Sequence, residues 1–131
     1  MAQEDYLARA AREIAAGRPW RAKEILSGNL TERGYDLALY EAYGALLARM
    51  GDDLEAGRFL FLSGSQDEGY REAVELFIQR FGGQDWKQLV GTFPAAAKLP
   101  SLGDYPESVG AVLRQLGRPE MVAVHELRYR P

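Results

Sequence analysis

Two stretches in the N-terminal half of the chain place small, aromatic and leucine residues at the same relative positions. When Gly17 is aligned with Gly51, 34 residues further on, the same offset pairs Tyr6 with Tyr40, Ala10 with Gly44, Ala22 with Ala56 and Leu26 with Leu60. Within each stretch the apolar positions recur every three or four residues, as on one face of a helix. A repeat of this length predicts one helix–turn–helix unit per copy.

The small and turn-forming residues of the repeat occupy positions where a helical hairpin needs them. Ala10 and Gly44 fall in mid-helix, where a small side chain allows a second helix to approach closely. Gly17 and Gly51 fall just past a helix end, where glycine adopts the left-handed conformation at little cost. Pro19 can then occupy the first turn of the next helix. The sequence therefore predicts two helical hairpins, over about residues 4–30 and 36–63.

The second copy carries the fuller motif, Tyr40-x-x-Tyr43-Gly44-x-x-Leu47-x-x-x-Gly51 followed by Ala56-x-x-x-Leu60. It resembles a tetratricopeptide repeat, and the resemblance covers about residues 4–64. The first copy departs from the pattern, with Glu13 at an apolar position and Gly34 near the usual proline. The resemblance implies stacked antiparallel hairpins whose first helices line a protein-binding surface. The alternative is an unrelated all-α protein in which the spacing is a coincidence.

A second resemblance rests on the segment AGRFLFLSG, residues 56–64, which follows a predicted helical hairpin. With this segment, the whole chain is similar to an uncharacterised family of small bacterial proteins. That similarity implies the same helical fold and adds no activity.

Helical periodicity continues in the second half of the chain. Residues 68–81 have apolar side chains at helical spacing, and Asp85 precedes a shorter apolar segment that Pro94 ends. Together these segments predict a third hairpin over about residues 68–92. A loop is expected at residues 95–101, before another helix.

The C-terminal segment repeats one turn signal of the first hairpin. The tripeptide GRP at residues 117–119 matches the GRP at residues 17–19, which predicts a fourth hairpin over about residues 104–128. Residues 119–130 remain open between a short helix and a short strand, because a proline–glutamate start favours a helix while the valines favour a strand. The prediction is a single all-α domain over residues 1–131, built of stacked antiparallel hairpins.

Composition and charge exclude several classes of protein. The chain has 131 residues, 47% of them hydrophobic and 27% charged, which is typical of one globular domain. Its net charge of −3 leaves no basic face large enough to predict nucleic-acid binding. The absence of cysteine excludes disulfides, zinc–thiolate sites and a thiol nucleophile. No apolar run approaches the length of a membrane helix, so we expect no membrane association and a cytoplasmic location.

Residues that could carry chemistry are few. His125 is the only histidine, and the segment after it lacks the second histidine of a zinc-protease helix. Asp52 and Asp53 are better explained as a helix cap and a partner of the helix dipole. No serine has a nucleophile motif, and no glycine-rich loop has the residues that bind phosphate. We therefore expect no catalytic residue, no metal and no cofactor.

The inner face of the predicted stack is the candidate partner-binding surface. It would be formed by residues of the first helix in each hairpin: Glu4, Leu7, Ala8, Ala11, Ala38, Glu41, Ala42, Ala45 and Arg49. Trp20 follows Pro19 at the end of the stack and is a candidate half-exposed anchor, although core packing is the favoured interpretation of this residue. The inner face has no lysine or asparagine, so the carboxylate clamp of some tetratricopeptide proteins is not expected. Either a partner helix or residues 95–131 of the chain itself would cover this apolar surface.

These observations predict a non-catalytic protein–protein interaction module, with a protein, a peptide or a second copy as its partner. One alternative is a small inhibitor, such as a toxin-neutralising immunity protein. Another is a small-molecule-binding protein or enzyme with a pocket between the repeats and residues 85–131.

Overall fold

The computed structural model describes residues 5–83 and 85–127, and this part of the chain is helical. The helices are α1 (Tyr6–Ala15), α2 (Pro19–Asn29), α3 (Leu37–Arg49), α4 (Asp53–Ser63), α5 (Arg71–Phe81), α6 (Trp86–Gly91), α7 (Glu107–Gln115) and α8 (Val124–Leu127). Single 3₁₀ turns lie at Glu68–Tyr70, Ala95–Ala97 and Leu102–Asp104. The predicted all-α class is confirmed, since within these residues the only pairing of strand type is an isolated bridge between Ser101 and Met121.

Aspartate side chains begin several of the helices. The carboxylate of Asp5 accepts a hydrogen bond from the backbone N–H of Leu7 at 3.0 Å, and Asp85 accepts one from Lys87 at 3.0 Å. Asp36 caps α3 in the same way. Each bond satisfies one of the N–H groups that a helix start leaves without a partner.

Glycine ends three of the helices with the same backbone turn. Gly17, Gly51 and Gly117 have φ angles of 78°, 88° and 93°. The residue after each glycine donates its N–H to the carbonyl five positions back: Arg18 to Glu13, Asp52 to Leu47 and Arg118 to Leu113, at 2.8, 2.9 and 3.0 Å. This 6→1 bond defines the Schellman motif, which requires a left-handed residue at its centre. The sequence therefore encodes the same reversal of chain direction at three places.

The positions that the repeat pairs are core positions. Ala10, Ala22 and Ala56 are at most 3% exposed. Gly44 of α3 lies against Leu60 of α4, and an added β carbon would lie 2.7 Å from the Leu60 Cγ. Short connections make α1 and α2, and likewise α3 and α4, antiparallel neighbours.

A second close approach joins α4 to α5. A β carbon at Gly57 would clash with the backbone carbonyl of Ala73 and lie 2.8 Å from the Phe77 Cβ. The ring of Phe77 packs beside that of Phe61 at 5.8 Å between centroids. α4 therefore packs tightly against helices on two sides.

The C-terminal region differs from the expected fourth hairpin. Helix α7 forms, but residues 118–123 are not helical, and among the described residues up to Leu127 a single helical turn, α8, follows. The N–H of Leu102 donates to the carbonyl of Glu120 at 2.8 Å, and that of Val122 donates to Pro100 at 2.9 Å. These bonds use backbone groups that a helix from Pro119 onward would need. Residues 128–131 lie outside the described residues.

Replacing Gly57 with alanine tests the close approach of α4 and α5. The added methyl group meets backbone that cannot rotate away, so we expect Gly57→Ala to lower the free energy of unfolding by about 1–3 kcal/mol. The measurement is urea unfolding followed by circular dichroism. Gly28→Ala is the matched control, because Gly28 in α2 has open space around it, and this substitution should stabilise by up to about 1 kcal/mol. Equal effects at the two positions would contradict the packing described here.

Candidate partner-binding surface

An open groove runs between α1 and α3 and has a volume of about 330 Å³. Small or aliphatic side chains line it, with one cation at its edge: Leu7, Ala10, Ala11, Ile14, Ala42, Ala45, Leu46 and Arg49. We call it the α1–α3 groove. Its lining is almost entirely apolar, although it is open to solvent.

The helical register explains why the groove exists. On α1, Tyr6 and Ala10 point into the core, and Leu7, Ala11 and Ile14 form the next stripe at spacings of four and three residues. On α3, the small residues Ala42 and Ala45 face this stripe. Because alanine side chains are short, the two helices leave a channel between them.

Five of the predicted inner-face residues come together in this groove. Leu7 and Ala11 line it from α1, and Ala42, Ala45 and Arg49 line it from α3. Ala38 is exposed at the start of α3, seven residues before Ala45 and therefore on the same side of the helix.

The remaining predicted residues lie elsewhere. Glu41 is half-buried on the α5 side of α3, where burial and then its carboxylate raise the pKa of the Tyr70 hydroxyl. Trp20 is 54% exposed on α2 and does not line the groove. Glu4 lies outside the described residues.

The prediction missed three aliphatic residues of the lining, Ala10, Ile14 and Leu46. Ile14 could have been found, because it follows Leu7 by seven residues and continues the same helical stripe. Leu46 is 2% exposed, so its side chain serves the core and also forms part of the groove floor. Sequence alone does not distinguish that double role from ordinary core packing.

Residues of the C-terminal region attach to a different side of the molecule. The hydroxyl of Tyr105 donates to the carbonyl of Ala97 at 2.5 Å and accepts from the N–H of Leu99 at 2.9 Å. The ring of Tyr105 packs against that of Tyr35, 5.9 Å between centroids. Within residues 85–127, no side chain lines the α1–α3 groove.

The buried side chain of Arg118 links two segments of this C-terminal region. It is 3% exposed, and its guanidinium donates to the carbonyls of Leu99 at 2.5 Å and Pro100 at 3.1 Å. The guanidinium carbon also lies 5.8 Å from the centre of the Trp86 ring. Burial lowers the pKa of Arg118. The carbonyl oxygens and the aromatic faces replace part of its lost hydration, and among the described residues its buried Nε has no hydrogen-bond partner.

A smaller cavity of about 230 Å³ lies between α5 and α7. Several polar groups on its rim already have partners close by. The Ser65 hydroxyl accepts from the N–H of Asp67, Gln66 donates to the carbonyl of Gly64, and Arg71 pairs with Glu68 at 2.6 Å. These groups are held by local contacts.

Two further features of the described residues bear on chemistry. No group of three or more histidine or acidic side chains in residues 5–83 and 85–127 is arranged to hold a metal ion. None of the helices in those ranges combines the length and the apolar character needed to cross a membrane. His125, on α8, is exposed.

Comparison with known proteins gives no relative. No family model matches the chain, and no curated protein and no solved structure is significantly similar to it.

Replacing Arg118 tests how the C-terminal region is held. Arg118→Met removes a buried guanidinium that donates to two partly buried carbonyls, so we expect the free energy of unfolding to fall by about 2 kcal/mol. Arg18→Met is the matched control from the equivalent GRP tripeptide. Arg18 is exposed and, among the described residues, its ion pair is with Glu13, at 2.6 Å, so its loss should have a much smaller effect. The free energy of unfolding of both variants is measured by chemical denaturation. An equal loss of stability in the two variants would contradict the role given to Arg118.

Proposed function

We propose that the protein is a non-catalytic protein–protein interaction module of tetratricopeptide-like architecture. The observation that supports this most directly is the α1–α3 groove, an apolar channel of about 330 Å³ open to solvent. Apolar channels of this kind on a protein surface are typical of binding sites for other proteins. We also propose a cytoplasmic location, with which a chain free of cysteine is consistent.

The shape of the groove favours a helical segment of a partner. Its walls are two helices, and its floor is made of alanine and short aliphatic side chains. An amphipathic helix with larger apolar residues at positions i, i+3 or i+4 and i+7 would fill the space that the alanines leave. Arg49 at the edge of the groove is exposed and would pair with a carboxylate on that partner.

The tetratricopeptide-like part of the proposal rests on the repeat. The 34-residue offset relates core positions of two hairpins, and the Schellman turns at Gly17 and Gly51 end the first helix of each. In stacked hairpins of this type, a continuous face made by the first helices is a common binding surface. Here the first helices are α1 and α3, which form the groove.

Binding of designed helical peptides tests the function without a known partner. The probes are a fluorescent library of amphipathic helical peptides with leucine anchors at helical spacing, and the readout is fluorescence anisotropy. We expect some members to bind the wild-type chain. Ala45→Arg places a long charged side chain in the groove and should weaken that binding at least about tenfold, the equivalent of about 1.4 kcal/mol.

The control is Ala8→Arg, an equally charged substitution on α1. Ala8 was predicted to lie on the inner face, but in the structure it is exposed and is not part of the groove lining. It should leave peptide affinity within about a factor of two, since surface changes away from a site have small effects. If no peptide binds, or if Ala8→Arg and Ala45→Arg reduce binding equally, the proposed use of the groove is wrong.

A further inference from the structure

Charge is unevenly divided between the N-terminal hairpin and the helices after it. Residues 1–33 contain six basic and five acidic side chains, a net charge of +1. Residues 34–83 contain four basic and nine acidic side chains, a net charge of −5. Two parts of one chain with opposite charge attract one another between copies when both are exposed.

The basic part has a groove between α1 and α2, distinct from the α1–α3 groove. Its volume is about 300 Å³, and its lining is Arg9, Arg12, Glu13, Arg21, Glu24 and Ile25. Of its two carboxylates, Glu13 already pairs with Arg18, which lies outside the lining. The lining therefore holds three guanidinium groups and two carboxylates, an excess of one positive charge, around a partly buried isoleucine. The charge of Glu13 also acts on Arg21 and Arg12.

The acidic part has an exposed apolar residue on α5. Leu76 is 44% exposed. Glu72 lies one helical turn before it and Glu75 is the residue immediately before it, and both are exposed. Together with Asp53 they line a groove of about 420 Å³ that has no basic residue in its lining. Glu72, Glu75 and Asp53 make no ion pair within residues 5–83 and 85–127.

We propose that this protein associates with itself head to tail, with α5 of one copy seated in the α1–α2 groove of the next. Leu76 would pack on Ile25, and Glu72 and Glu75 would face Arg9 and Arg21. The occupant is a second copy of the chain because both complementary surfaces lie on the same molecule.

The contact joins two different surfaces, so it is heterologous and leaves a free surface at each end of a dimer. Such association extends into short chains or closes into a ring. It does not use the α1–α3 groove, and it therefore stands independently of the proposed function. Exposed ion pairs contribute little each and are screened by salt, so the association is weak and sensitive to ionic strength.

Sedimentation velocity over a range of protein concentrations tests the wild-type chain. The two conditions are ionic strengths of about 0.01 M and about 1 M, where the Debye lengths are about 30 Å and about 3 Å. We expect the average mass to rise with concentration at low ionic strength and to return to that of a monomer at high ionic strength. A monomer at every concentration at low ionic strength, or association that salt does not weaken, overturns the proposal.

Charge reversal then identifies the surfaces. Glu72→Arg/Glu75→Arg and Arg9→Glu/Arg21→Glu should each be monomeric, since each variant faces itself with like charges. Mixing the two should restore association, because every contact in the mixture then joins opposite charges. The control for the α5 variant is Glu107→Arg/Glu126→Arg, which makes the same change in net charge on exposed residues of α7 and α8. It should associate like the wild type.

Circular dichroism of each variant confirms that it is folded before it is mixed. Association of either reversed variant alone, or folded variants that stay monomeric when mixed, shows that these surfaces do not meet. Peptide binding in the α1–α3 groove is measured separately, so either proposal can fail while the other holds.

Discussion

The packing of α4 between α3 and α5 is the constraint on which the rest of the structure depends. Residues 59–63 are all buried, so this helix has no solvent-facing side over its last turns. Gly44 admits Leu60 on one side, and Gly57 admits the backbone of Ala73 on the other. Arg58 extends this role to the C-terminal region, since its guanidinium donates to the carbonyl of Thr92 at 2.5 Å and pairs with Glu55. With α4 fixed, α3 turns its alanine stripe away from the core and toward α1.

The candidate site follows from that arrangement. α1 packs mainly on α2, and it meets α3 across small residues, so the space between α1 and α3 is not filled from within. The C-terminal region could have covered this space, but Tyr105 and Arg118 hold its backbone on another side of the molecule. The groove therefore has two structural causes. Alanines lie on the facing sides of α1 and α3, and residues 95–122 pack on a side of the molecule away from the groove.

The sequence predicted the parts of the fold that local rules determine. The turns at Gly17 and Gly51 follow from glycine's access to the left-handed region, and the close approach of a second helix at Gly44 follows from the small residue that the repeat places there. The residue that fills this space is Leu60, whose place the repeat does not indicate. Gly57 was not predicted, because the 34-residue offset aligns it with Lys23 and gives no sign of a close contact. Its role depends on α5, which the repeat does not include.

The C-terminal region shows why identical local sequence does not give identical structure. Both GRP tripeptides form the same Schellman turn, yet Arg18 is exposed and Arg118 is 3% exposed. Five residues before Arg18 stands Glu13, which pairs with it, whereas Leu113 stands at the equivalent position before Arg118. Without that carboxylate, Arg118 binds the carbonyls of a segment nearly twenty residues away, and such a partner is set by tertiary packing. The backbone hydrogen bonds that join Glu120 and Val122 to the same segment use groups that the second helix of a hairpin would need.

The most direct test of the central claim is the reactivity of a cysteine placed in the α1–α3 groove. The chain contains no cysteine, so single-cysteine variants give an unambiguous signal. The measurement is the rate at which Ala45→Cys in the folded full chain reacts with a bulky maleimide, compared with Ala38→Cys at an exposed position of the same helix. If the groove is open, the two reaction rates should lie within about tenfold of each other, because the maleimide would reach the reactive thiolate form of either cysteine. A rate at Ala45→Cys that is several orders of magnitude slower and approaches that of Ala38→Cys only on unfolding would show that the chain covers its own groove, and would contradict this account.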